Sequence, residues 1–260
     1  MADLLTLKGV VAGYGAGDIL RGVDLTVGAG KVVCLIGPNG AGKSTVLKTV
    51  SGLLRPRLGE VLLDAEPITA LSPRERLRRG VVHVPQDRGL FPAMTVWENL
   101  LMGGYMLRDR HEVHRRALRC AELFPVVGRR RRDAAGSLSG GEQKQVELAR
   151  SLMLDPRLVL LDEPSIGLDP RARRTVFASI GRLADDGRTV LLVEQNARSG
   201  LAVADRGAVL ESGVVRLTGT GAGLLGDPEV ARLYLGGPVA DPPGGRTPAP
   251  PNALTTEAPT

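Results

Sequence analysis

Eight residues, Gly37-Pro38-Asn39-Gly40-Ala41-Gly42-Lys43-Ser44, have the spacing G-x-x-x-x-G-K-[ST]. Such a stretch is built to hold phosphate. Glycines carry no Cβ, so the backbone can turn tightly and approach an anion. Successive N–H groups then point inward, backed by the positive end of a following helix. Lys43 can reach β- and γ-phosphates as a point charge, and the Ser44 hydroxyl can ligate Mg²⁺. About 120 residues later an apolar run, Leu158 to Leu161, ends in Asp162-Glu163. Asp162 can hold Mg²⁺ directly or through water, and Glu163 can polarise a water for in-line attack on a γ-phosphate. Taken alone, such a pair reads as a helix cap with an exposed acid. Tyr14 stands just before Gly15, in a loop ahead of the phosphate site, where its ring could stack on an adenine.

These residues need elements that place them. Lys31 to Ile36 is a short apolar run of buried-strand type before the loop, and Val46, Leu47, Val50, Leu53 and Leu54 recur at helical spacing after it. Two earlier β runs, Leu5 to Val11 and Leu20 to Val27, are punctuated by glycines and Asp18. Gly59 to Leu63, Val81 to Val84 and Thr189 to Val193 read as further strands, and 208–217 as a closing hairpin around Gly213. Ser72/Glu75, Thr95/Glu98 and Ser139/Glu142 each have capping-box spacing and open helices, the first with Pro73 at its first position. Gly80 ends the first helix. The second extends to about Leu123 with a break near Gly103-Gly104, and the third runs through Leu148, Leu152 and Met153. Asp169-Pro170 opens a helix that Gly187 stops, and Asp227-Pro228-Glu229 starts a short last one. Arg129 to Asp133 reads as a charged link.

The chain has 260 residues, 43% of them hydrophobic, enough for one large domain or two small ones with a real core. Net charge is +6 and the pI about 9.8. The arginine excess gathers in Arg74 to Arg79 and Arg129 to Arg132, which read as solvated helix ends and loops, not as a nucleic-acid surface. Cys34 and Cys120 have neither metal spacing nor a disulfide framework, which suits a reducing compartment, and Cys34 reads as a small core residue. No apolar run approaches a membrane span and no signal-peptide pattern opens the chain, so membrane attachment is expected through a partner. From Gly236 to Thr260, Gly, Pro, Ala and Thr dominate, and 238–260 read as a disordered tail.

Leu138-Ser139-Gly140-Gly141-Glu142-Gln143 resembles the signature of the ATP-binding-cassette (ABC) ATPases. The resemblance covers about residues 4–237. Tyr14 matches the adenine-stacking loop, Gly37 to Thr45 match Walker A, Gln86 the glutamine loop, Leu158 to Glu163 Walker B, and Gly167-Leu168-Asp169 the D-loop. The resemblance implies an α/β fold: a P-loop NTPase (ABC ATPase) core with an N-terminal antiparallel β portion. A helical subdomain inserts at about 87–150 of a nucleotide-binding domain spanning 1–237. It implies ATP hydrolysis with Ser44, Gln86 and Asp162 organising Mg²⁺, Lys43 on the phosphates and Glu163 as general base. The N–H groups opening the helix at Ser139, Gly140 and Gly141 can bind an anion. In this family they face the γ-phosphate held by a second subunit, and Asp169 of the D-loop counts with them among the nucleotide-binding residues. A head-to-tail dimer with two sandwiched ATP molecules follows, homo- or heteromeric.

One motif departs. The family usually carries a histidine after the strand that follows the D-loop helix, in contact with the γ-phosphate. Here Val193-Glu194-Gln195-Asn196 places Gln195 there, a neutral donor that cannot become cationic. This form resembles the second ATPase subunit of branched-chain amino-acid importers and the related urea importers. Phe91-Pro92, Met94-Thr95-Val96, Leu101 to Gly104 and Leu235-Gly236-Gly237 agree. The implied partners are two membrane permease subunits, a second ATPase subunit and an external solute-binding protein, with this chain on the cytoplasmic face of the cell membrane. The groove from Gln86 to Gly104 is expected to dock a permease helix at Phe91 and Met94. Soluble ABC ATPases of chromosome maintenance or repair insert a long coiled coil before the signature. Only about 95 residues, without heptads, separate Ser44 from Ser139 here. Translation types carry two cassettes in one chain, and a non-hydrolysing scaffold fits poorly with Lys43 and Glu163 both in place.

Overall fold

Strand β3 (Val32–Ile36) is buried at every position, and its side chains divide between two apolar clusters. Val32, Cys34 and Ile36 join one cluster; Val33 and Leu35 join the other. The same alternation holds along β7 (Leu158–Asp162) and β8 (Thr189–Glu194). Burial on both faces is why these strands read as continuous apolar runs. The computed structural model describes residues 2–87 and 89–234. Leu235-Gly236-Gly237 and the expected tail 238–260 lie outside the described residues.

The remaining strands are β1 (Asp3–Ala12), β2 (Leu20–Gly28), β4 (Leu58–Leu63), β5 (Glu66–Pro67), β6 (Val81–Val84), β9 (Arg206–Glu211) and β10 (Val214–Thr220). One sheet has the order β10-β9-β3-β8-β7-β6, the other β2-β1-β4-β5. The second is antiparallel throughout. In the first, β9, β3, β8, β7 and β6 are parallel, and β10 closes an antiparallel hairpin on β9. Register places Ile36 opposite Glu194 and Asp162 opposite Val193. The carboxyl ends of β3, β7 and β8 therefore lie abreast, where open parallel sheets bind ligands.

Helices α1 (Lys43–Ser51), α2 (Pro73–Arg78), α3 (Val96–Met102) and α4 (Arg110–Leu123) are followed by α5 (Pro125–Arg129), α6 (Gly140–Ser151) and α7 (Pro170–Asp185). Then come α8 (Ala197–Ala202), α9 (Gly221–Leu225) and α10 (Pro228–Tyr234). The capping boxes at Ser72, Thr95 and Ser139 all form. Helices α5, α8 and α9 were not expected: five or six residues long, they owe their form to packing rather than to a pattern of their own. Part of the expected charged link, Arg129, closes α5. The helix expected to run through Met153 ends at Ser151, and Leu152–Leu154 tighten into a 3-10 turn closed by Asp155 at φ 54°. Apolar residues of the helical stretch, among them Val96, Leu100, Phe124 and Val146, belong to the same cluster as Val159 and Leu161 of the sheet.

One expectation is corrected. Arg76, in the patch taken as solvated, is 1% exposed. Its guanidinium donates to the carbonyls of Thr49 (2.6 Å) and Val50 (2.8 Å), closing the C-terminal end of α1, and to those of Leu71 and Thr69. A cation at a helix C-terminus satisfies orphan carbonyls and complements the dipole. Burial pulls its pKa down to about 10.

Candidate active site

Four loops leave the same sheet edge. The turn after β3 carries Gly37 to Gly42, the loop after β6 carries Gln86, and Glu163 and Gln195 follow β7 and β8 directly. Asn39, Gly40, Gly42, Lys43, Ser44, Thr45, Gln86, Glu163 and Gln195 line one cavity. Ile19 and Ile166, which no sequence signal marked, add apolar walls. The loop geometry needs its glycines. Gly42 caps α1 at φ 105°, and a Cβ on Gly37 would stand 2.1 Å from the Leu210 carbonyl oxygen.

Lys43 is 5% exposed. Its Nζ donates to the carbonyls of Gly37 (3.0 Å) and Pro38 (3.1 Å) and lies 3.7 Å from Glu163 Oε1. Ala41 is buried behind the loop. Ser44 Oγ donates to Asp162 Oδ1 at 3.0 Å. Burial raises the Asp162 pKa from the ordinary carboxylate range, opposed by the Ser44 bond and by Lys48 and Lys43. Among the described residues there is no cluster of three or more His, Cys, Asp or Glu able to hold a metal. The hydroxyl and carboxylate oxygens of Ser44 and Asp162 are instead the hard donors that suit Mg²⁺ in company with substrate phosphates.

Glu163 adopts φ 43°, unusual for a residue with a side chain, and its N–H donates to the Val193 carbonyl at 2.9 Å. Tyr14 does not line the cavity. It is 50% exposed, and its ring carries Lys48 Nζ 5.8 Å above its centroid, beside α1.

Ser139, Gly140 and Gly141 open α6 away from this cavity. Ser139 is exposed, and its N–H and hydroxyl donate to the Glu142 carboxylate at 3.0 and 2.9 Å. Gly141 lets α6 approach α7, since a Cβ there would meet Ala172 Cβ at 2.7 Å. Asp169 caps α7 by accepting from the N–H groups of Arg171 and Ala172. The signature and D-loop thus stand side by side on one chain, apart from that chain's own phosphate loop. The groove next to β6 is lined by Phe91, Met102, Tyr105 and Arg150 among others; Met94, expected there, is not part of it and instead accepts at its carbonyl from Ala135 N–H. Fully buried Asn99 holds the Phe91 backbone from both sides, donating to its carbonyl and accepting from its N–H.

The sequence profile of the ABC transporter family matches residues 20–166. The chain belongs to the ABC transporter family. This member is 41% identical over 234 residues to BraG of Pseudomonas aeruginosa, the ATP-binding protein of high-affinity branched-chain amino acid transport, spanning 90% of this chain and 100% of that one. It is 37% identical to LptB of Escherichia coli (strain K12), the ATP-binding protein of a lipopolysaccharide export system, covering 89% and 97%. LivF of Archaeoglobus fulgidus, a probable branched-chain amino acid transport ATP-binding protein, is 36% identical over 86% and 95%. Among solved structures, the ADP conformation of MJ1267, an ATP-binding cassette of an ABC transporter, superposes with TM-score 0.81 at 28% identity, covering 91% and 100%. The dimeric cassette MJ0796 bound to ADP and Pi gives 0.72 at 28% identity, covering 83% and 98%. The fold is that of a P-loop ABC ATPase, and this ABC chain is an ATP-hydrolysing subunit of a transporter. Among its described residues no helix is long and apolar enough to cross a membrane.

Proposed function

We propose that this chain hydrolyses MgATP with Lys43, Glu163 and Gln195 and thereby drives a permease that imports branched-chain or related amino acids. The observation that carries the site assignment is the single cavity that gathers the phosphate loop, Gln86, Glu163 and Gln195. Loop N–H groups and Lys43 hold the phosphates. Ser44, Asp162 and Gln86 would hold Mg²⁺, and their oxygens fit it. When bound, the ion neutralises phosphate charge. Glu163 takes the proton of the attacking water, and Gln195 donates a hydrogen bond to the γ-phosphate. Tyr14 flanks the adenine. Catalysis then rests on positioning and charge stabilisation, without a covalent intermediate.

Ser139, Gly140, Gly141 and Asp169 serve the nucleotide of a second ATPase subunit in a head-to-tail pair, which agrees with their place away from this chain's own cavity. The helical stretch 87–150 acts as a subdomain within 1–237, and its Phe91 groove receives a permease helix at the cytoplasmic face of the membrane. The amino-acid reading is supported by the similarity to BraG and by the Glu194-Gln195-Asn196 sequence. The similarity to LptB over the same length favours a second reading, export of a lipid-linked glycan.

Proteoliposomes holding this chain with candidate permease subunits, with and without a solute-binding protein, decide between them. Leucine, isoleucine or valine on the binding-protein side should raise ATP turnover. Stimulation by lipopolysaccharide alone would establish the second reading, and stimulation by urea would move the solute within the first.

A further inference from the structure

Glu194 ends β8 and is 1% exposed. Its carboxylate faces neutral donors: Ser165 N–H at 3.1 Å on one oxygen, Ser165 Oγ at 3.0 Å and Asn196 N–H at 3.3 Å on the other. A buried carboxylate held this way is costlier than an amide or hydroxyl in the same place. Nothing in nucleotide binding calls on it. Its position suggests a use. Ser165 lies two residues after Glu163, in a turn whose Glu163 carries a positive φ and needs support from its surroundings. That turn is fastened to β8 at two points: Glu163 N–H on the Val193 carbonyl, and Ser165 on Glu194. Gln195 follows directly after the end of β8, and Glu163, Ser165, Glu194 and Gln195 line one cleft. Gly200 lets α8 close on this point, since a Cβ there would meet Glu194 Cβ at 3.1 Å.

We propose that Glu194 is a positioning residue for hydrolysis: by binding Ser165 and Asn196 together it fixes the turn that aims Glu163 against the strand end that presents Gln195. The proposal rests on Glu163 being the base. Lys43 and the loop amides make no contact with Glu194, so its removal should leave ATP binding intact and slow the chemical step. A misplacement of about 1 Å in a reacting group can cost on the order of 10²-fold in rate.

The test uses the full-length protein and reads turnover at saturating MgATP beside the affinity for a fluorescent ATP analogue. Glu194→Ala should lower kcat about tenfold or more and leave affinity within about twofold. Ser165→Ala and Glu194→Gln, which each remove part of the brace, should fall between it and the native chain. In a Glu163→Gln background, Glu194→Ala should change the residual turnover by less than about twofold, because there is no longer a base to aim. Unchanged turnover in folded Glu194→Ala would overturn the proposal. So would a joint loss of kcat and affinity, or an equal effect in both backgrounds. Should Glu194→Ala not fold, Ser165→Ala and Glu194→Gln decide by the same criteria. Native turnover in Glu163→Gln alone would overturn the base assignment instead.

Discussion

Glu163→Gln keeps the size and shape of the side chain and removes its basicity. Phosphate release by the purified variant should fall ~10²–10⁴-fold, with the fluorescent-nucleotide titration unchanged. Gln195 poses a different test. A histidine there would have an ordinary pKa of about 6.5, so Gln195→His should stay active and add to the native profile a further pH dependence between about pH 5.5 and 7.5. Coincident pH–rate profiles for the native chain, Gln195→His and Gln195→Ala would remove Gln195 from the site. Glu194 carries a third expectation, for stability. Burial pushes its pKa up to about 7, against an ordinary value of 4.5. Between those values the folded state binds more protons than the unfolded one, so this group's contribution is present at low pH and is lost as pH rises through about 7. Urea midpoints of the native chain should therefore carry a component that falls over that window, and Glu194→Gln should flatten it. Identical slopes would show that the carboxylate does not titrate there.

Arg76 closes α1, the helix that follows the phosphate loop. Arg76→Met should leave the Thr49 and Val50 carbonyls without their donor, at roughly 1–3 kcal/mol for each buried acceptor left unpaired, and a lowered urea midpoint is the measurement that shows it. An unchanged midpoint would mean that water or a neighbour replaces the guanidinium. The contrast with the legible elements is instructive. Ser72, Thr95 and Ser139 announced their helices because a capping box links residues only three positions apart, and β3, β7 and β8 announced themselves by burial on both faces. The phosphate loop and Asp162-Glu163 stood out as short runs at the ends of apolar strands, and Gln195 by its place in the motif order; each lies at the end of β3, β7 or β8. Arg76 did not stand out, since its acceptors at the end of α1 lie 26 and 27 residues away and composition marks it as one solvated arginine among several. The Glu194–Ser165 brace spans 29 residues and has no pattern in sequence. Short helices such as α8 and α9 have too few turns to show an apolar period.

For the assembled transporter, Phe91 is the position to disturb. It is 47% exposed in the groove beside β6, and its backbone is fixed by Asn99. Phe91→Asp should abolish solute uptake in proteoliposomes while ATP turnover of the isolated chain stays within about twofold, since surface substitutions leave folding largely unaffected. Retained uptake would place the permease contact elsewhere. The apolar cluster that joins the sheet to the helical stretch reaches further than packing. Val146 and Leu148 of α6 and Val159 and Leu161 of β7 share it, so opening either part alone would bare apolar side chains of the other. In deuterated buffer their backbone amides should exchange together, at one common rate set by global unfolding. Melting the signature helix alone would strip the sheet of part of that cover, and a helix that keeps it passes on motion from the phosphates as displacement of a solid body.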